Sequence, residues 1–308
     1  MTKRYGGGQK RVSWGMTRIP CLSRPAALCT IALLMLAAGP GRLAAADPVN
    51  VDSVAALARE LRRIEFLIPD HHLARLDAIP RTRIAGPGAP SAWREKVPFR
   101  NSVFIRMALS AVLQVNEALV ATRARVQSLT VARAGPADLS WLSHLIADYG
   151  VATADEPPTE ALKMSLLRRL DTLPPSLVIA KGALDSGWLP SRYTQPEGPA
   201  FGRWTLGRVT AAGADGAGFR QPRAALEAYM HHLNTHPDFV AMRDARVALR
   251  AEGRSLDGHA LAAYLAPALG RLATQKLQRV IRRNTLKRTN RARLAAGPVF
   301  VFQRAEER

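Results

Sequence analysis

The sequence predicts a mainly α-helical protein, and three observations carry that expectation. Apolar residues recur at spacings of three and four through most of the chain beyond residue 50. Gly and Pro crowd together between Gly187 and Pro222, which reads as a small irregular insert, and within it "FGRWTLGRV" is the one segment suited to strand alternation. With 308 residues, 47% hydrophobic and 22% charged, the chain can bury a sizeable core and does not have the composition of a disordered protein.

The first 46 residues carry 7 Lys and Arg and no acid, and continue into the apolar run "AALCTIALLMLAA" from Ala26 to Ala38 before "GPGR" and "LAAADP". This is the order of a secretory signal, with cleavage expected after Ala46 and a periplasmic or secreted mature chain. The 13-residue run falls short of the ~20 residues a spanning helix needs. Both cysteines, Cys21 and Cys29, fall inside the signal, so the mature chain has no thiol chemistry and is held by its core alone. Export also removes chromosomal DNA as a partner for the formal charge of +20, of which +13 remains beyond residue 46.

Each helix has its own pattern. Val54, Leu57, Leu61, Ile64 and Leu67 describe an amphipathic helix, and "IAGPGAPSA" follows as a linker. The segment "FRNSVFIRMALSAVLQVNEALVATRARVQSL" runs for about eight turns without Pro or Gly and predicts one long helix. "ADLSWLSHLIADYG" predicts a helix stopped by Gly150, "VATADEPPTE" a link, and "ALKMSLLRRLDTL" another helix. Then comes "LPPSLVIAKGALDSGW", with a Pro start, a Gly stop and Asp185 on the last turn. Residues 223 to 288 return to helical spacing through Leu226, Tyr229, Met230 and Leu233, then Leu261, Tyr264, Leu265, Leu269 and Leu272. From Lys276 to Arg308 the chain holds 10 Lys and Arg against 2 Glu, which reads as a solvated helix face and a frayed basic tail, or as a surface attracted to an anionic envelope polymer or membrane.

Motifs exclude several chemistries. There is no G-x-S-x-G, no Ser with Lys three residues later, and no phosphate loop. His232 and His236 have the spacing of a helical metal pair, but no H-E-x-x-H accompanies them, and "NTHP" reads as a helix stop followed by a new helix starting at Pro237. What remains is the acid. The C-terminal end of a helix carries partial negative charge, which disfavours a carboxylate there by ~0.3–1 kcal/mol and favours its protonated form, the state a general acid needs.

"ALDSGW", "EGPAFGRWT" and "HLNTHPDF", with "FIRMALSAVLQVNEAL" before them, together resemble the Bax-like bacterial proteins of the glucosaminidase superfamily, which also contains the flagellar peptidoglycan hydrolase. These proteins are unrelated to the apoptosis regulator. The resemblance runs from about Phe99 to Leu286. It implies a lysozyme-like two-lobed glucosaminidase domain at 156–288, preceded by an N-terminal helical region at 47–155 and followed by a basic tail at 289–308. It also implies hydrolysis of the β-1,4 bond after N-acetylglucosamine in peptidoglycan glycan strands, with no metal or organic cofactor. The family's catalytic Glu falls at Asp185, its aromatic loop at Phe201, Gly202 and Trp204 beside Trp188, and its tyrosine at Tyr264. Glu197 and Asp215 are loop candidates for a second carboxylate. Two other readings stand beside this one: a weakened or inactive domain that binds glycan without cutting it, and a basic interaction protein of the envelope.

Overall fold

A computed structural model describes residues 47–67, 76–85, 99–186 and 222–304. The expected signal segment, most of the Pro- and Gly-rich linker, "FGRWTLGRV" and the insert lie outside the described residues. Helices dominate, as the periodicity requires. With them is a small sheet of three parallel strands: β1 (Val49–Val51), β2 (Ile79–Ala85) and β3 (Leu294–Arg304), in the order β1-β3-β2.

This sheet corrects two expectations. The segment beyond residue 289 is no frayed tail, because β3 is the central strand, with Val301 and Phe302 buried. Strand structure is also present well away from "FGRWTLGRV". The run "VFVF" at 299–302 has the continuous apolar character of a buried parallel strand, which the averaged charge of the C-terminal segment concealed. Register jumps from Ile79↔Leu294 to Arg81↔Val299, and the extra residues of β3 include Gly297 at φ 138° and Pro298. A bulge tolerates both, since Pro cannot donate to the ladder and only Gly accepts that φ readily.

The outer edge of β2 is closed by side chains of the long helix. Ser110 Oγ accepts the Thr82 N–H at 2.9 Å and donates to Pro80 O at 2.7 Å, while Gln114 Nε2 donates to Thr82 O at 3.1 Å. An edge that would otherwise pair with another chain is thereby satisfied internally.

The first helix, α1 (Val54–Arg63), is N-capped by Ser53, whose Oγ accepts from Ala56 N–H at 3.0 Å. It is shorter than the apolar spacing suggested: Glu65 turns left-handed at φ 54°, and the N–H groups of Phe66 and Leu67 fold back onto Leu61 O. Helix α2 (Arg100–Ser128) is the expected long helix, about 43 Å at 1.5 Å per residue. It is long and apolar enough to cross a membrane, yet more than half of its apolar window is buried within the protein, with Val103, Ile105, Leu109 and Val112 fully enclosed.

Helices α3 (Pro136–Asp148) and α4 (Glu160–Arg169) meet the end of α2 in a second, smaller core built on Val126, Leu142, Ile146, Tyr149, Leu166 and Leu170. After α5 (Pro175–Ser186) the described chain resumes with α6 (Pro222–Thr235), α7 (Val240–Ala251), α8 (Gly258–Ala263), α9 (Ala266–Leu269) and α10 (Arg271–Arg283). Short 3-10 turns lie at Pro237–Phe239 and Leu286–Arg291. The main core joins Val51–Val115 to Leu173–Phe302, so both sides of residue 155 share it.

Four arginines are structural. Arg123 donates to Leu167 O and Leu170 O, Arg169 to Tyr149 O and Gly150 O, Arg243 to Leu233 O and His236 O, and Arg246 to Arg168 O and Arg169 O. Each guanidinium fills the carbonyls that a helix C-terminus leaves unpaired, where the dipole also favours a cation. Arg246 is fully buried and packs against Asp171, with Nε 3.6 Å from Oδ2, while Arg250 reaches Asp171 Oδ1 at 3.0 Å. Burial pushes Arg243 and Arg246 down to about 10. Burial opposes ionisation of Asp171, but Arg246, Arg250 and the Thr172 N–H outweigh it and hold the carboxyl below its usual range.

Candidate functional site at the end of helix α5

Helix α5 is buried all round, not on one face. Ser176, Leu177, Val178, Ile179 and Ala180 are fully enclosed, and Lys181, Gly182 and Ala183 are buried after them. A helix apolar on every side belongs at the centre of a fold, and α5 packs against α2, α8, α10 and the 286–291 turn. Its start is pinned by two asparagines. Asn116 Nδ2 donates to Leu173 O at 2.8 Å and its Oδ1 accepts Leu173 N–H at 3.1 Å, while Asn290 Oδ1 accepts Ser176 N–H at 3.0 Å.

Helix α8 approaches this start so closely that a Cβ on Gly258 would lie 2.2 Å from Ser176 Oγ and 2.7 Å from Leu177 N. Only Gly fits there. The rigid seat fixes the rest of α5, and with it the position of its final turn.

The helix emerges at that turn. Leu184 is 38% exposed, the first exposed side chain after a fully buried run, and Asp185 is the next residue. The backbone of Asp185 is helical; its side chain is outside the described groups. One turn earlier, at the four-residue spacing that shares a helix face, the buried Lys181 places its Nζ 5.5 Å from the centre of the Tyr229 ring. Sequence reasoning did not single out Lys181, although a cation inside "SLVIAKGAL" is the signal that could have found it.

Tyr264 closes α8, its N–H donating to Leu261 O at 3.1 Å. Its neighbours Leu261 and Leu265 are fully buried, but Tyr264 is 47% exposed, so it stands outside the core despite its core-like spacing. Helix α8 packs against α5, its first residue, Gly258, meeting the start of α5 at Ser176 and Leu177. Trp188, Phe201, Gly202 and Trp204, with Glu197 and Asp215, lie outside the described residues.

The histidine pair packs in a cluster of tilted rings. The rings of His232 and His236 are 4.6 Å apart, Phe239 meets His232 edge-on at 5.3 Å, and His236 Nδ1 accepts the Asp238 N–H at the start of the next turn. Among the described residues, no group of three or more His, Cys, Asp or Glu is arranged to hold a metal ion.

These elements define a mainly helical protein with a small parallel sheet and a central buried helix ending in an acid. Among known proteins, the chain is similar to Protein bax of Escherichia coli (strain K12), at 26% identity over 194 residues that cover 61% of this chain and 67% of that relative. The similarity supports a Bax-like relationship. No family model matches the chain, and no solved structure matches it.

Proposed function

We propose that the protein is an exported peptidoglycan hydrolase that cleaves the β-1,4 glycosidic bond after N-acetylglucosamine by general acid catalysis. One observation carries the proposal: a single acid, Asp185, ends a buried, rigidly seated helix at the turn where it reaches the surface. The Bax-like similarity supports it. In this reading Asp185 protonates the leaving oxygen, aided by the negative end of the helix dipole, and Trp188, Phe201, Gly202 and Trp204 shape the sugar cleft. Participation of the substrate's N-acetyl group, with Tyr264 nearby, removes the need for a second carboxylate. The reaction needs neither metal nor organic cofactor. Its partner is the glycan strand, and its place is the periplasm or the exterior.

The alternative is a glycan-binding domain with little or no activity. The aspartate itself favours that alternative, since it is one methylene, about 1.5 Å, shorter than glutamate, and a misplacement of about 1 Å can cost roughly a hundredfold in rate. Digestion of purified cell walls, borohydride reduction and sugar analysis separate the readings. Hydrolysis yields reduced N-acetylglucosamine at the new ends. Sedimentation with the walls, without release of soluble fragments, means binding alone.

A further inference from the structure

With residues 294–304 assigned to the sheet, the basic character of the C-terminal region becomes localised. Arg271, Lys276, Arg279, Arg282, Arg283, Lys287, Arg288, Arg291 and Arg293 are all exposed, and 271–304 contains no acid. Among the described residues only Lys287 meets a carboxylate, Asp257 at 2.7 Å, while Arg282 Nη1 contacts His259 Nε2 at 2.9 Å. Helix α10 buries Thr274, Leu277 and Ile281 and turns the cations outward.

Among the described residues, Asp257 is the one carboxylate that meets this face. Lys276 with Arg279, and Arg279 with Arg282 and Arg283, are like-charge neighbours at spacings of three and four, an arrangement that destabilises a helix on its own. The dipole of α10 rewards Arg282 and Arg283 near its end but disfavours Arg271 at its first position. Unlike the helix-capping arginines, these side chains meet no carbonyl row among the described residues. An external anion is what they fit.

We infer that the exposed basic face of α10 and the 286–291 turn docks the protein on an anionic phospholipid surface. Seven of the nine cations are arginines, whose planar guanidinium matches the oxygens of a phosphodiester. Leu272, 66% exposed, lies on the same stripe as Lys276, Arg279 and Arg283, so an apolar side chain sits among the cations as on an interfacial helix. At 13 residues α10 is about 20 Å long, which spans several headgroups and is too extended for one small ligand. Residues 271–293 contain no aromatic side chain, so the face has nothing on which a sugar ring could stack. The inference goes beyond the hydrolase reading and does not depend on it.

The test is co-sedimentation of the purified protein at low salt with vesicles of phosphatidylcholine alone, with vesicles of equal parts phosphatidylcholine and phosphatidylglycerol, and with purified cell walls. Of the two kinds of vesicle, the protein is expected to pellet with the anionic one only, and to be released from it as salt rises. Replacing Lys276, Arg279 and Arg283 together with Gln should weaken vesicle binding by roughly a hundredfold, at about 1 kcal/mol per cation near an anionic surface. Exchanging Lys for Arg and Arg for Lys at the same positions should retain it. Circular dichroism verifies that both variants fold. Equal binding to neutral vesicles, or undiminished binding by the Gln variant, overturns the inference. Binding to walls but not to vesicles assigns the face to the wall polymer instead. Hydrolysis of soluble glycan fragments without lipid should be the same in the Gln variant, so the two proposals fail separately.

Discussion

Replacing Arg246 with Met tests how the interior is held together. The guanidinium is fully buried and donates to Asn234 Oδ1 at 2.6 Å, Arg169 O at 3.0 Å and Arg168 O at 3.2 Å, while offsetting the charge of Asp171. Breaking a buried ion pair by removing one partner costs about 3–5 kcal/mol. Arg250 still reaches Asp171 at 3.0 Å, so the lower end, about 3 kcal/mol, is expected. With a urea slope of about 3 kcal/mol/M for a chain of this size, the midpoint should fall by about 1 M.

The pH dependence has a definite sign. Asp171 is held below its usual range, so its contribution is present above the unfolded value of about 3.9 and is lost as pH falls through the lower folded value. Without Arg246 the folded value rises toward the unfolded one, so the variant has less of this contribution to lose on acidification. The deficit of Arg246→Met relative to wild type should therefore shrink as the solution is acidified. A midpoint within about 0.3 M of wild type at neutral pH, on the same slope, would refute a stabilising role for this network.

Other substitutions probe the seat of α5 and the sheet. Gly258→Ala should destabilise by about 1–3 kcal/mol in urea unfolding, because its Cβ would press on the Leu177 backbone 2.7 Å away. Phe302→Ala, in the central strand and buried, should cost about 3–5 kcal/mol in the same assay, whereas a frayed tail would tolerate it. Ser110→Ala leaves the Thr82 N–H and Pro80 O without their partner and should cost about 1–3 kcal/mol. Tyr264→Phe should leave the unfolding midpoint unchanged, since the side chain is half exposed.

The helices were legible because burial writes a 3.6-residue period into the chain. Residues 99–129 predicted α2 almost to its ends, and the two prolines before Ser176 marked the start of α5. The sheet was obscured by its own chemistry. β2 contains Pro80 and two arginines, and β3 is interrupted by Gly297 and Pro298, so neither alternates cleanly. Charge counts record that Arg123 or Arg246 is present, but not that a distant helix end supplies its carbonyls. Glu65, whose positive φ ends α1, carries no local signal. The placement of Asp185 on the last turn was readable from the Gly after it, whereas the burial of α5 on every side was not read from its short apolar run. Lys181, buried one turn away, was passed over because a lysine in a helix ordinarily faces water.

The central claim is that Asp185 supplies the proton for glycan cleavage. The most direct measurement compares release of reducing ends from purified cell walls by wild type, Asp185→Asn and Asp185→Glu, each verified as folded. Wild type should hydrolyse slowly, Asp185→Asn should not hydrolyse while still sedimenting with the walls, and Asp185→Glu should be faster because it restores about 1.5 Å of reach. Hydrolysis that continues at the wild-type rate in Asp185→Asn would contradict the account, since the acid would then have to lie elsewhere.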